Sequence, residues 1–160
     1  MGQQGYGDEG GSGHLSVRDP ILTDHFWMNP LFRSFKHIKV SDLVLVNADG
    51  EVVEGGNLHA INDSVFIHSA VYQARPDIIA ACHAHSIAGR AFSTLGIELD
   101  ISTQDACIFW RDHTVYKYFP FTNQSNGVEA TVSSLAGKKE DVLPRRSPIT
   151  ILSSCKITVF

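Results

Sequence analysis

Ile78-Ile-Ala-Ala-Cys82-His83-Ala84-His85-Ser86 is the stretch that decides the fold. Residues 78–82 are apolar without alternation, which is typical of a short strand buried on both faces. Ser86 is an N-cap residue, and it predicts a second helix that Gly96 can close. A buried strand that leads directly into a helix favours layers of mixed α and β structure.

The elements before this strand fit the same architecture. Leu43 to Asn47 and Glu51 to Val53 are β-rich runs around an Asp-Gly pair, so they predict a hairpin. A helix capped by Asn62 or Asp63 then runs to about Ala74. The predicted order is hairpin, helix, buried strand and helix, which indicates an α/β fold.

Composition and charge exclude several classes of protein. The chain has 160 residues, 43% of them hydrophobic and 19% charged, as expected of a single globular domain. Its net charge of -4 gives nucleic acid no electrostatic reason to bind. Three widely spaced cysteines indicate reduced thiols, and no apolar run reaches the roughly 18 residues of a transmembrane helix. We therefore expect a cytoplasmic protein.

The chain changes character near residue 120. Residues 1–120 carry 8 Lys and Arg against 14 Asp and Glu, whereas residues 121–160 carry 5 against 3. Residues 1–13 form a flexible, Gly-rich lead, and residues 14–119 form the domain. We expect residues 120–160 to be an atypical, poorly ordered tail that derives from an altered reading frame or a retained intron.

His83 and His85 are the strongest candidates for chemistry. Side chains two residues apart on a strand share a face, so the two imidazoles can converge on one metal ion. They follow the end of a buried strand, the edge at which open α/β sheets place their sites. The alternative is a pair of hydrogen-bonded structural histidines.

A zinc site needs a third protein ligand. The candidates are His68, Asp63, Asp105 and His113. The sequence favours His68 as a packed helix residue that donates to a backbone carbonyl, and His113 as a solvated loop residue. Asp63 can act as a metal ligand or a general base, but the sequence favours an N-cap role for it.

Two weaker patterns could bind a phosphate or another anion. Gly13 and His14, followed by Ser16 and Arg18, could surround an anion with backbone amides and a guanidinium, although glycine there can also mean flexibility. Ser86 begins a helix whose first backbone N–H groups are free to bind an anion.

The chain resembles the class II aldolase/adducin domain family, most closely its fungal members and the adducin head, over about residues 5–119. The resemblance rests on five segments, namely Gly13-His-Leu-Ser-Val-Arg-Asp-Pro20, Trp27-Met-Asn-Pro30, Ser41-Asp-Leu-Val-Leu-Val-Asn-Ala-Asp-Gly50, Ile67-His-Ser-Ala-Val-Tyr-Gln-Ala-Arg-Pro-Asp77 and Cys82-His-Ala-His-Ser86. It implies a three-layer α/β/α class II aldolase-like fold, a homo-oligomer, and zinc held by His83 and His85.

The chain also departs from the pattern of the family. The catalytic glutamate of the aldolases lines up near Ser64, so Asp63 is the neighbouring carboxylate. Asn29-Pro30-Leu31-Phe32 replaces the Thr-Pro-Ser-Gly turn that holds phosphate, which makes Asn29 a candidate substrate-binding residue. The motif that supplies the third zinc histidine is absent after Phe119, so the sequence predicts a truncated domain.

These departures favour a degenerate aldolase/adducin-type domain with little or no lyase activity. By resemblance, its role would be adducin-like association with itself and with a partner in the actin cytoskeleton. The alternative is a zinc-dependent aldolase or epimerase that acts on a small hydroxy-carbonyl compound or a sugar phosphate.

Overall fold

The computed structural model describes residues 2–6, 13–56, 65–110, 113–116, 149–152 and 156–159. The strands are β1 (His14–Arg18), β2 (Phe26–Met28), β3 (Val44–Val46), β4 (Val52–Gly55), β5 (Ala80–Ala84), β6 (His113–Tyr116), β7 (Ile149–Leu152) and β8 (Lys156–Val159). The α-helices are α1 (Val65–Ala74) and α2 (Ile87–Ser93), and short 3₁₀ helices cover Gly2–Gln4, Val40–Asp42 and Asp105–Phe109. The predicted mixture of α and β structure is confirmed.

The eight strands form one sheet in the order β4-β3-β2-β1-β5-β8-β7-β6. β6 and β7 are parallel, and every other pair of neighbours is antiparallel. β5 pairs antiparallel with both β1 and β8, so His83, which lies within β5, and His85, which follows it, are not at the carboxyl edge of a parallel sheet. In the described part of the chain, no helix is long and apolar enough to span a membrane.

The predicted hairpin is confirmed. β3 and β4 pair antiparallel, with a register shift between Leu45 and Val46. The Asn47 side-chain oxygen accepts hydrogen bonds from the backbone N–H groups of Asp49 at 3.0 Å and Glu51 at 2.9 Å. Gly50 has a φ of 83°, a left-handed conformation that glycine adopts without steric cost, so the turn closes as the sequence predicts.

Both predicted helices are present. α1 is described from Val65 and ends at Ala74 as expected, whereas the cap candidates Asn62 and Asp63 lie outside the described residues. Ser86 caps α2, because its hydroxyl accepts a hydrogen bond from the Gly89 backbone N–H at 3.1 Å.

The predicted strand begins two residues later than expected. Ile78 donates its backbone N–H to the Arg75 carbonyl at 3.1 Å, which closes a turn, and Ile79 is 66% exposed. The strand is therefore Ala80–Ala84, and residues 81–84 are buried as a strand covered on both faces should be.

The hydrophobic core lies between α1 and one face of the sheet. Its buried members are Phe26, Met28, Val44, Val46, Val65, Val71, Tyr72, Ile78 and Ala81. The register of β1 and β5 places Ser16 opposite Ala81 and His14 opposite His83. Because residues two apart on a strand share a face, these four residues lie on the side of the sheet that α1 covers.

Two strands come from the predicted tail. β8 pairs antiparallel with β5, and β7 joins β8 to β6. Other residues of 120–160 lie outside the described ranges, so their predicted poor order and their origin in the gene stay predictions.

Candidate functional site

His83 and His85 point their ring nitrogens at each other. Their Nε2 atoms are 2.8 Å apart, and the two rings stand edge to face at 81°. His83 is 5% exposed, and within the described residues its Nδ1 atom is buried without a hydrogen-bond partner. The 2.8 Å contact is a hydrogen bond in which one ring donates and the other accepts, so the structural alternative accounts for the pair except for the Nδ1 atom of His83.

A third imidazole lies against this pair. The His14 ring stacks on the His83 ring, with centroids 4.3 Å apart and an interplanar angle of 8°. His14 Nδ1 is 2.7 Å from Nε2 of His68, which lies on α1 and is 2% exposed. The site therefore contains four histidines, of which sequence reasoning singled out two as a pair.

The hydrogen bonds continue away from the pair into the core. Ser16 Oγ lies 2.6 Å from His68 Nδ1 and 2.8 Å from the Tyr72 hydroxyl. Sequence reasoning expected His68 to donate to a backbone carbonyl, and that expectation was wrong because α1 packs over β1, where side-chain partners are available. Tyr72 was missed, since nothing in its local pattern separates it from an ordinary core aromatic.

Burial keeps these histidines neutral. The pKa of His14 lies well below its usual value of 6.5, mainly because burial removes water from the ring. Electrostatic repulsion from His68, His83 and His85 lowers it further. Desolvation lowers the pKa of His68 to about 4, and desolvation with the adjacent His85 lowers that of His83 to about 3. At neutral pH the three rings are uncharged, which is the form of imidazole that binds metal ions.

The histidine pair fits two of the positions of a zinc site. Neutral imidazole nitrogens are preferred zinc ligands, and a tetrahedral ion with Zn–N distances of about 2.05 Å separates its donor atoms by about 3.3 Å. The distance between the Nε2 atoms of His83 and His85 is 2.8 Å, and it has to increase by only a few tenths of an ångström to reach that spacing. Across the described residues, however, no three His, Cys, Asp or Glu side chains have an arrangement that could hold a metal.

The candidate third ligands do not join the pair. Both ring nitrogens of His68 are occupied by His14 and Ser16. His113 is 7% exposed, so the expectation of a solvated loop residue was wrong. The 3₁₀ helix Asp105–Phe109 brings the Phe109 carbonyl to 2.7 Å from His113 Nδ1, and His113 Nε2 accepts the Leu99 N–H at 3.0 Å. Asp105 is exposed at the start of that helix, and Asp63 lies outside the described residues.

The predicted anion-binding residues are engaged within the protein. Asn29 accepts a hydrogen bond from the Leu15 N–H at 2.7 Å and donates to the carbonyls of Gly13 and Pro30 at 3.2 Å. A Cβ atom on Gly13 would lie 2.8 Å from the Phe35 ring, so close packing explains this glycine.

Arg18 and Ser86 are also engaged. The Arg18 guanidinium donates four hydrogen bonds to backbone carbonyls, those of Ile78, Thr23, Tyr72 and Arg75. It also lies over the Tyr72 ring, 4.6 Å from the centroid. The Ser86 hydroxyl is occupied by its capping bond. Arg18 therefore joins β1 to the end of α1, and four of its five N–H donors are used within the protein and not for a phosphate.

The turn that should hold phosphate has an unusual backbone. Phe32 has a φ of 58°, the left-handed region that glycine adopts readily, and its side chain is 78% exposed. Phe32 thus has a glycine-like backbone conformation at the position where the Thr-Pro-Ser-Gly turn of the family has glycine, but it adds a bulky side chain there.

Comparison with known proteins identifies relatives over most of the chain. A family model described as "Class II Aldolase and Adducin N-terminal domain" matches residues 1–147. The meiotically up-regulated gene 14 protein of Schizosaccharomyces pombe is 44% identical over 116 residues, which are 72% of this chain and 45% of the relative. Decarboxylase NovR of Streptomyces niveus is 41% identical over 119 residues, 72% of this chain and 43% of that protein. Mouse alpha-adducin is 36% identical over 84 residues, 51% of this chain and 11% of the adducin. This chain spans about half the length of the first two relatives.

Solved structures confirm the predicted class II aldolase-like α/β fold. L-fuculose 1-phosphate aldolase from Glaciozyma antarctica PI12 is 37% identical with a TM-score of 0.79, covering 98% of this chain and 57% of the aldolase. An aldolase II superfamily protein from Pseudomonas syringae is 28% identical with a TM-score of 0.81, covering 94% of this chain and 58% of its own. The family model extends beyond residue 119, where sequence reasoning placed the domain boundary.

Proposed function

The chain belongs to the class II aldolase and adducin N-terminal domain family, and on that premise we propose that it is a zinc-binding domain with little or no lyase activity and an adducin-like role in association. The observation that carries zinc binding is the convergence of the His83 and His85 Nε2 atoms, 2.8 Å apart. Both rings would hold the ion through these nitrogens.

The sheet pre-organises the histidine pair. His83 is fixed by the antiparallel register of β5 with its two neighbours, and Ser86 begins α2 one residue after His85. Because the backbone at the pair is held on both sides, little conformational entropy is lost when a ligand binds. When bound, zinc supplies Lewis-acid polarisation of a substrate carbonyl.

Weak lyase activity follows from the polar groups around the pair. Asn29 directs its side-chain N–H group and Arg18 four of its five N–H donors to backbone carbonyls. Phe32 has a bulky side chain where close backbone approach to phosphate needs glycine. Sugar phosphates would therefore bind poorly. Within this proposal, the candidate for proton transfer is Asp63. The residues that the sequence suggested for anion binding lie around the site without binding a substrate, namely Gly13, His14, Ser16 and Ser86.

The association role rests on the adducin relatives. Alpha- and beta-adducins share 34–40% identity with this chain over 84 residues. We propose a cytoplasmic homo-oligomer with a cytoskeletal partner, an arrangement that does not require catalysis.

A lyase of the same fold is the second candidate. Decarboxylase NovR and L-fuculose 1-phosphate aldolase share 41% and 37% identity with this chain, and both names are those of enzymes. In this alternative, the chain cleaves or epimerises a small hydroxy-carbonyl compound or a sugar phosphate at the same histidine pair.

Zinc content tests the proposal. Wild-type protein, the His83→Ala variant and a His37→Ala control are dialysed against a chelator, reloaded with zinc, freed of excess metal and analysed by atomic emission. His37 is an exposed histidine outside the site. We expect about one zinc ion per chain in the wild type and the control and none in His83→Ala. A zinc-free wild type, or zinc retained in His83→Ala, would overturn the proposal.

Turnover separates the two candidates. The zinc-loaded wild type is incubated with a panel of sugar phosphates, and released aldehyde is measured with a coupled dehydrogenase. We expect no turnover above that of His83→Ala. A rate that this substitution abolishes would establish the lyase and refute the claim of weak activity.

A further inference from the structure

We propose that the connection between β2 and β3 is a docking surface for an anionic membrane. Its lysines would contact lipid headgroups, and its exposed apolar side chains would insert between them. The connection covers residues 29–43, and we call residues 32–40 the basic loop. This inference goes beyond the proposed function and does not depend on zinc binding.

The basic loop concentrates positive charge in an acidic chain. Arg33, Lys36 and Lys39 lie close together in sequence, and residues 25–41 contain no Asp or Glu. This segment carries +3 in a chain of net charge -4, which leaves -7 for all other residues. Lys36 and Lys39 are exposed. An anionic surface is therefore attracted to this loop and repelled by most of the remaining surface.

Two apolar side chains project from the two ends of the basic loop. Phe32 is 78% exposed and Val40 is 86% exposed. Arg33 Nη1 lies 2.5 Å from Asp42 Oδ1, so an ion pair joins the two ends of the loop close to both apolar residues. The loop therefore combines cations and exposed apolar side chains in one compact segment. That combination is typical of protein surfaces that bind the interface of an anionic membrane.

The backbone of Phe32 has a cost that burial does not offset. Its φ of 58° lies in the left-handed region, which is uncommon for a bulky residue and which glycine adopts without steric cost. Because the ring is mostly exposed, it gains little from contacts with the described part of the chain. Residues in sparsely populated conformations cluster at functional sites. A ring that becomes buried only when a partner binds accounts for both the backbone and the exposure.

Contacts with the rest of the domain hold the loop in shape. Asp42 Oδ2 accepts the Lys39 backbone N–H at 2.8 Å, and the Lys39 carbonyl accepts the Asp42 N–H at 2.9 Å. Phe35 packs on Gly13, where a Cβ atom would lie 2.8 Å from the ring. Because the loop is already ordered, little conformational entropy is lost when it docks.

Several other exposed apolar residues have acidic neighbours. Ile21 is 86% exposed and lies between Asp19 and Asp24, and Val53 is 50% exposed and directly precedes Glu54. Carboxylates at those positions would be repelled by anionic lipid. Apolar exposure and positive charge coincide at the basic loop, which selects it over these positions.

A membrane suits this surface better than a folded protein does. Protein interfaces place their anchoring side chains in well-packed pockets within a continuous patch. Phe32 and Val40 instead project on either side of a charged segment. A lipid interface is fluid, so each side chain can insert without a complementary pocket.

Vesicle flotation tests the proposal. The whole chain is mixed, at about 0.1 M salt, with phosphatidylcholine vesicles that contain about 30% phosphatidylserine, or with vesicles of phosphatidylcholine alone. We expect binding to the anionic vesicles, and loss of most of it on neutral vesicles and at about 1 M salt. No binding to anionic vesicles, or equal binding to both kinds, would overturn the proposal.

Substitutions in the loop test where the membrane docks. Lys36→Gln and Lys39→Gln should each lower the vesicle partition coefficient about fivefold, and together about 30-fold. Phe32→Gly should lower it at least about tenfold, because the ring is the larger apolar anchor. Glycine suits the left-handed backbone, so this variant should fold, which circular dichroism checks.

Two matched controls lie outside the basic loop. Arg90→Gln removes an exposed cation, and Ile21→Ser removes an apolar side chain that is 86% exposed. Both should stay within about twofold of the wild type. Loop variants that bind vesicles as the wild type does would show that the loop is not the docking surface.

Two further results would assign the loop to another partner and overturn the proposal. Sedimentation velocity compares the wild type with Phe32→Gly, and a change of oligomeric state would make the loop a contact between copies of this chain. Polyglutamate is the second probe. If it binds more tightly than the anionic vesicles, and Lys36→Gln and Lys39→Gln weaken that binding, the surface fits an acidic protein and not a membrane.

Discussion

Ser16→Ala tests whether the hydroxyl of Ser16 joins α1 to the sheet. Ser16 is fully buried, with 0% exposure, and its Oγ contacts both His68 Nδ1 and the Tyr72 hydroxyl. Removing this oxygen leaves two polar groups on α1 without their shared partner. The substitution opens little space, so the expected cost is that of lost hydrogen bonds and not of a cavity.

The size of the expected loss of stability depends on which hydrogen bonds His68 and Tyr72 keep in the variant. His68 is 2% exposed and loses the partner of Nδ1, and an unsatisfied buried polar atom costs about 1–3 kcal/mol. Tyr72 keeps a weak bond to the Ile79 carbonyl at 3.5 Å, so its loss is partial. We expect the free energy of unfolding to fall by about 2–4 kcal/mol.

Urea denaturation of metal-free protein measures this change, with Ser93→Ala as the matched control. Ser93 is also buried, at 2% exposure, but its hydroxyl donates only to the Arg90 carbonyl, one turn earlier in the same helix. That carbonyl also accepts the Thr94 backbone N–H, so the control should cost less than about 1 kcal/mol. Equal costs for the two substitutions would refute the role assigned to Ser16.

Three further predictions concern the core and the thiols. Arg18→Lys should lower stability by about 1–2 kcal/mol, because an ammonium cannot reproduce the four hydrogen bonds of the guanidinium, and urea midpoints measure this loss. Phe26→Ala should cost about 3–5 kcal/mol in the same assay, whereas Ile21→Ala, at 86% exposure, should change stability by less than about 0.5 kcal/mol. Cys107 is exposed and should react with N-ethylmaleimide well before Cys82, because burial blocks access to Cys82 and raises its pKa to about 11, which peptide mass spectrometry can follow.

Local pattern was sufficient to predict the elements around the motif. An Asp-Gly turn between β-rich runs predicted the hairpin. The two-residue spacing of His83, in β5, and His85, just after it, predicted that their side chains meet, as their 2.8 Å contact shows. Ser86 was identified as an N-cap because serine is a preferred residue at that position and it directly precedes the predicted helix. Each of these inferences depends on residues within a few positions of one another.

Contacts across the sheet could not be predicted in this way. His14 and His68 are 54 residues apart, and they meet only because β1 pairs with β5 beneath α1. A single sequence carries no record of that register, so His68 was assigned a backbone partner that it does not use. His113 was misjudged for a related reason, since its partners Phe109 and Leu99 belong to a 3₁₀ helix and a loop that periodicity does not reveal.

The position of β5 explains how a chain with an unusual C-terminal part can hold the histidine pair. His83 is opposite His14 in β1 and opposite Ile157 in β8, so the strand is paired along both edges. Without β8, the N–H and C=O groups along that edge of β5 would lack partners, and an unpaired edge strand invites aggregation. The backbone that aims the histidines therefore depends on two strands far apart in sequence, one of them in the tail. Whatever the origin of that tail in the gene, its last strand is part of the frame that holds the proposed metal site.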